Sequence, residues 1–359
     1  MVYPLATRLI KCDVQTDIKG KWSDFVDGGN GCLYGIPWNA RRVVEFHVED
    51  ESIKEIGPDL GNQCGKYING IKAGNGSIYC MPHNTKDFLK IIPGEGQNAE
   101  VKMLHLREQE IPSGDWMTGA LANDGCIYYF PDCHRGRILK LDPSDGDSLS
   151  LVGEELYADF EVAVFDNDGY IYGISDNEIN KFNPIDHRVS YIGRSFEHDN
   201  HFWRGAVLAE DGNIYAANQH GQILIIDTSE NDWKIIGSEI YHGEYARSWG
   251  NAVLGADKCI YFSPLCHDRV LRYNPTTQSI SLIGESYGEK EWKWRGAVLA
   301  SDGHIYCIPY GVDNILLIDS RLVNDKVLEM MKNHVWIITS MIIIVGAILA
   351  ADGNNPSIN

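Results

Sequence analysis

Apolar and polar positions alternate along most of this chain in short runs, the spacing of half-buried strands rather than of amphipathic helices. The runs recur as a unit. An aromatic residue stands twelve positions before a tyrosine seven times, as Trp22/Tyr34, Tyr67/Tyr79, Trp116/Tyr128, Phe160/Tyr172, Trp203/Tyr215, Trp249/Tyr261 and Trp294/Tyr306. Successive tyrosines are 45, 49, 44, 43, 46 and 45 residues apart, the period of four-stranded propeller blades and longer than that of common helical repeats.

Within each unit the pattern assigns four strands. The first apolar run leads to an Asx-Gly pair: Asn30-Gly31, Asn75-Gly76, Asp124-Gly125, Asp168-Gly169, Asp211-Gly212 and Asp302-Gly303. Such a pair predicts a tight type I′ hairpin, with positive φ at both central positions. The sixth unit reads Asp257-Lys258, so a strained or different turn is expected there. The tyrosine strand ends at a proline in five units (Pro37, Pro82, Pro131, Pro264, Pro309), because proline cannot donate to a ladder. A third strand follows, as at Val270 to Tyr273, and a fourth closes on an Ile-Gly or Val-Gly pair at Gly57, Gly153, Gly193, Gly237 and Gly284.

The recurring Asp-Gly-x-Ile-Tyr-x-x-Pro, followed by Val-Leu and an Asp-Pro or Asn-Pro turn, resembles the degenerate blades of the broad kelch-like and lyase-like β-propeller group over residues 7 to 320. The Trp-Asp dipeptide of WD40 blades and the double glycine of true kelch blades are missing. The last unit has three strands, and Thr7 to Lys11 precedes Trp22 much as Ser279 to Ile283 precedes Trp294. The expected fold is therefore all-β: a seven-bladed propeller of four-stranded blades over residues 1–325, its ring closed by the N-terminal strand, with a C-terminal hydrophobic helix in a tail over residues 326–359.

Composition narrows the function. Fifty acidic against 31 basic residues give a formal charge of -19, which argues against nucleic acid as a partner, since phosphate backbones are held chiefly by Lys and Arg. Nine scattered cysteines do not make a disulfide scaffold, and the first twenty residues lack the apolar core of a signal peptide. These features place the chain in the cytoplasm or on a membrane facing the cytosol. Cys126-Ile127-Tyr128 leading to Cys133-His134, and Cys259-Ile260-Tyr261 leading to Cys266-His267, offer metal-ligand types, but each pair of cysteines is seven residues apart along a strand. Buried small side chains in equivalent pockets explain them better. No metal or other cofactor and no catalytic residue is assigned, since nucleophile-elbow, zincin and P-loop motifs are absent. The leading reading is a non-catalytic interaction propeller with a protein partner. A propeller that binds a small ligand or glycan is the alternative, and a propeller enzyme with a loop-assembled site is the second. The candidate binding face joins Trp203, Arg204, Trp249, Trp294 and Arg295, which combine aromatic anchors with arginine forks.

The tail departs from the pattern. In Val335 to Ala351 only Thr339 and Ser340 are polar, and as a helix this stretch spans about 25 Å, near the lower limit for a bilayer. A tail anchor is one reading. A truncated eighth repeat is the other, since Gly346 to Gly353 echoes Gly205 to Gly212. An anchor predicts that the full chain stays in the membrane fraction through alkaline carbonate, while a chain ending at Asp319 is released; release of both favours the truncated repeat.

Overall fold

The computed structural model describes residues 6–15, 17–94, 99–105, 116–132, 135–196, 203–237, 248–288 and 292–322. The hydrophobic stretch from Val335 to Ala351 and the Cys133-His134 pair lie outside them. Among the described residues no helix is long and apolar enough to cross a membrane.

The described strands form seven sheets of four antiparallel strands. Blade 1 is β2 (Trp22–Asp27), β3 (Cys32–Pro37), β4 (Val43–His47) and β5 (Ile53–Ile56), paired in that order. The innermost strands of blades 2 to 7 are β6 (Tyr67–Lys72), β10 (Trp116–Leu121), β14 (Phe160–Phe165), β18 (Ala206–Leu208), β22 (Trp249–Leu254) and β26 (Trp294–Leu299). Each packs against the next, and β26 packs against β2, so the ring is complete. Six innermost strands begin at the repeat aromatic; in blade 5 the strand starts at Ala206, three residues past Trp203.

Alternation along the strands sends one set of side chains into each gap between neighbouring blades, and the core is accordingly seven apolar clusters, one per gap. The repeat tyrosines are buried in these gaps. The hairpin before each tyrosine differs from expectation. At the Asx-Gly turns only the glycine has positive φ, and the glycine N–H donates back three residues, as from Gly76 to the Ala73 carbonyl at 2.9 Å. This is a type I turn with a left-handed glycine after it, not the type I′ turn. The Asx is kept for its side chain. One oxygen accepts a backbone N–H two residues on, as Asp124 does from Cys126 at 3.0 Å; the second oxygen of an Asp accepts the tyrosine hydroxyl, as Asp124 does from Tyr128 at 2.7 Å, whereas the Asn30 and Asn75 amides donate to it at 3.0 and 3.1 Å. Lys258 holds the same turn at φ 64° without a glycine, so the strain expected there is present.

The outer edge shows why the chain closes as it does. In β1 (Thr7–Lys11), Thr7 pairs with Ile318 and Lys11 with Asn314 of β28 (Asn314–Ile318), giving blade 7 its fourth strand. At Gly57, Gly237 and Gly284 the glycine that follows an outer strand has positive φ and lies against the outer strand of the following blade. A Cβ on Gly57 would meet Val101 at 2.6 Å, one on Gly237 would meet Ile280 at 2.6 Å, and one on Gly284 would meet Thr7 at 2.9 Å. The N-terminal strand thus occupies the site that every other blade fills from its own chain, and two sheet edges are removed. Ile10 is 6% exposed in the gap between blades 7 and 1, whereas Leu9 is 44% exposed. Ile10→Ala should therefore cost about 2–4 kcal/mol in urea denaturation, and Leu9→Ala under about 1 kcal/mol; equal costs would show that β1 is not docked.

Candidate functional site: the axial cavity

A belt of backbone hydrogen bonds joins blades 6, 7, 1 and 2 at the end of the ring where innermost strands begin. The Lys293 N–H donates to the Leu265 carbonyl at 2.7 Å, and the Lys293 carbonyl accepts from Tyr310 at 2.8 Å. The Tyr310 carbonyl accepts from Lys21 at 2.8 Å, Lys21 accepts from Trp38 at 2.9 Å, Trp38 from Lys66 at 2.8 Å, and Lys66 from His83 at 2.9 Å. The residue before each of these strands therefore joins the loop of the previous blade to the loop of its own. Lys21, Lys66 and Lys293 are also buried, and their ammonium groups cap loop carbonyls of Val312, Gln63 and Cys266 at 3.0, 2.8 and 3.0 Å; Lys21 pairs with Asp313 as well.

Inside this belt the first residues past the repeat aromatics surround the ring axis. They enclose a cavity of about 260 Å³ to which all seven innermost segments contribute, with Asp24, Asn69, Thr118, Glu161, Arg204, Asn251 and Arg295 as its polar lining. Two local features turn these side chains inward. The first strands bulge just after their start, as between Trp22 and Asp24 and between Trp294 and Ala297, which breaks the pairing and re-aims the residues between. Glycines let neighbouring backbones close in: a Cβ on Gly250 would run into the Arg295 carbonyl, and one on Gly296 would meet Asp24 Cα at 2.5 Å.

The arginines are held by aromatic faces and acids. The Arg295 guanidinium lies 4.8 Å from the Trp38 ring and 5.9 Å from Tyr310, and Arg204 lies 5.7 Å from Trp292 and 4.0 Å from the Glu161 carboxylate. Trp292 and Tyr310 are 5.5 Å apart, and Trp38 lies 4.7 Å from His83. Asp24 lines the cavity and is half-buried. That burial pushes its carboxyl up to about 7, against the pull of the Phe25 N–H, Arg295 and Asn251.

The sequence-proposed face divides into two groups. Trp203, Trp249 and Trp294 are buried between blades, and the indole N–H groups of Trp249 and Trp294 donate to the carbonyls of Arg269 and Asn314 at 3.2 and 2.7 Å. Their rings fasten first strand to third and present no surface. Arg204 and Arg295 are brought together at the cavity. In the loop that follows Pro264, Leu265, Cys266 and His267 are buried, with His267 stacked on Trp249 at 4.6 Å. The cysteines of the repeat positions are buried. The aromatics at the mouth escaped the sequence reading, although a signal was present: Trp38, His83 and Tyr310 each directly follow a strand-ending proline.

No protein-family model and no curated protein sequence matches the chain. Solved structures do. A catalytically inactive virginiamycin B lyase from Staphylococcus aureus, determined with Quinupristin, is 13% identical with a TM-score of 0.68, covering 87% of this chain and 98% of its own. YCF48 bound to a D1 peptide is 12% identical with a TM-score of 0.66, covering 90% and 99%. The extracellular domain of a putative hybrid two-component system from B. thetaiotaomicron is 10% identical with a TM-score of 0.60, covering 88% and 41%. At these identities the likeness establishes the propeller fold and does not support the narrower kelch-like resemblance.

Asp24 gives a pH signature. Its folded value lies above the roughly 3.9 of an unfolded aspartate, so the folded protein holds this proton more tightly. The stability it contributes is present at low pH, is lost as pH rises from about 4 through about 7, and stays flat above. Asp24→Asn should remove this loss: in urea melts the variant should gain on the parent between pH 5 and pH 8, by up to a few kcal/mol. A difference independent of pH would show that Asp24 is not protonated near neutrality.

Proposed function

We propose that this chain is a non-catalytic binding propeller that captures a carboxylate-bearing segment of a protein partner at the mouth of the axial cavity. The observation that carries the reading is the placement of Arg295 against Trp38 and Tyr310, beside Arg204 against Trp292. A guanidinium stacked on rings is oriented before its partner arrives, and such forks pair with carboxylates in two-bond geometry. Aromatic and arginine side chains are also the types that dominate binding energy at interfaces. The structure of YCF48 with a peptide is an instance of this fold holding a polypeptide segment. The belt behind the loops favours recognition without rearrangement, which limits the entropy lost on binding.

The second reading, a small polar ligand or glycan, is favoured by the cavity itself. Its volume of about 260 Å³ and its ring of Asn69, Thr118 and Asn251 suit a compact molecule rich in hydroxyl or amide groups, and the lyase structure with Quinupristin shows a similar fold beside a small molecule.

Calorimetric titration with a panel of acidic peptides, set beside a glycan panel, separates the two readings. Arg295→Gln should weaken binding of the best peptide at least tenfold, with Arg204→Gln adding to the loss, while the melting temperature falls by no more than a few degrees. Unchanged peptide affinity in both variants would overturn the proposal, and binding confined to glycans would transfer it to the second reading.

A further inference from the structure

Blade 1 departs from the other six at the end of the sheet away from the axial loops. Opposite the repeat tyrosine, the third strands of blades 2 to 7 carry Lys90, Lys140, Lys181, Ile225, Arg272 and Leu317. Blade 1 carries an acid there, Glu45 opposite Tyr34. Two residues further on, blades 3 to 7 have Asp142, Asn183, Asp227, Asn274 and Asp319, turn residues all, whereas blade 1 has His47. The cross-strand partner of His47 is Cys32. Cysteine recurs at this position in Cys126 and Cys259 without an imidazole opposite. Three ligand types that the repeat does not require together are thus assembled once.

One ligand atom from each residue falls within 4.8 Å of the others, within reach of one ion after a small side-chain adjustment. The present contacts use opposite ring nitrogens, Cys32 Sγ lying 3.4 Å from His47 Nδ1 and Glu45 Oε1 2.8 Å from His47 Nε2, and one of the two nitrogens would take the ion. We propose that Cys32, Glu45 and His47 bind a zinc-like divalent transition-metal ion, with a fourth position left to water. Thiolate, imidazole and carboxylate together make a zinc ligand set, and metal bonds of roughly 2.0–2.3 Å in a tetrahedron separate ligands by about 3.5 Å. The ligands stand on adjacent paired strands, so the backbone sets their spacing before an ion arrives. Asp27 and Asp50 add negative charge around Cys32. Glu45 is buried and faces the Tyr34 hydroxyl, which accepts from Asn30 at 3.0 Å, an outer shell of the kind that orients ligands. The imidazole, 19% exposed, is the entry side.

The Lys54 ammonium now lies 2.8 Å from Glu45, where a cation is needed, on a side chain 36% exposed. On metal binding the Cys32 thiol gives its proton to solvent, and Lys54 moves from the carboxylate into water. No electron is transferred. The cluster stands about 17 Å along β3 from the axial loops, so this site is independent of the proposed partner site.

Cobalt(II) is the probe, added to the reduced, chelator-stripped full chain under anaerobic conditions. A single equivalent should bind with thiolate-to-cobalt charge-transfer absorption and tetrahedral ligand-field bands, both displaced by zinc. Cys32→Ser should abolish the charge-transfer band, and His47→Asn should weaken binding by more than the roughly 10–100-fold typical of outer-shell losses. Lys54→Met, which keeps all three ligands, should tighten binding, and Cys126→Ser should leave it unchanged. The proposal is overturned if the parent shows no charge-transfer band, if the band survives Cys32→Ser, if it vanishes with exposed Cys64→Ser instead, or if Lys54→Met does not bind more tightly.

Discussion

The contact that holds blades 6, 7, 1 and 2 in register is made at the axial end, through the residue just before an innermost strand. Sheets four strands wide could slide on one another if only apolar side chains filled the gaps, since the hydrophobic effect has no direction. The clasp through Lys293, Tyr310, Lys21, Trp38, Lys66 and His83 supplies that direction. Each backbone bond contributes about 1 kcal/mol net. The buried ammonium groups of Lys21, Lys66 and Lys293 raise the stakes, because a charge left unpaired in the interior costs several kcal/mol. Loops tied in this way form a fixed rim.

The same clasp explains why a site exists there at all. It sets the residue before the aromatic, the aromatic fills the gap between blades, and the residues just past it face the axis. Those positions are free to differ from blade to blade, and they do: Ser23-Asp24, Ile68-Asn69, Met117-Thr118, Glu161-Val162, Arg204-Gly205, Gly250-Asn251 and Arg295-Gly296. Repetition builds the frame, and departures from it supply the chemistry. Within the cavity Arg204 and Arg295 balance Asp24 and Glu161, in a protein whose formal charge is -19.

Much of this was legible in the residues. The interval from Trp22 to Tyr34, repeated seven times, gave blade number and strand order, and the likeness of Thr7 to Lys11 to an outer strand gave the closure, because both rest on local patterns of apolar residues and turns. The Asx of the hairpins was read for its turn alone; its bond to the tyrosine four residues on needs a packed side chain to become visible. Arg204 and Arg295 stood out as neighbours of tryptophans, but whether the ring or the arginine is the accessible partner depends on which side of the bulge each falls. Asp24, Glu161 and Trp292 carry no linear motif and meet their partners only across blades. Cys32, Glu45 and His47 were hidden for another reason, since the thiol was absorbed into a pattern of buried small residues and its imidazole partner lies across a strand pair.

Whether the aromatic and arginine side chains at the axial cavity take a carboxylate is decided by the indole N–H resonances of the isotopically labelled protein during titration with a glutamate-rich peptide. Trp38 and Trp292, together with the Arg295 side-chain N–H, should shift and saturate along one curve while Trp22, Trp116, Trp249 and Trp294 hold still, because their N–H groups are bonded inside the blades. Saturable shifts confined to the buried set, or binding that leaves Trp38, Trp292 and Arg295 unmoved, would contradict carboxylate binding there.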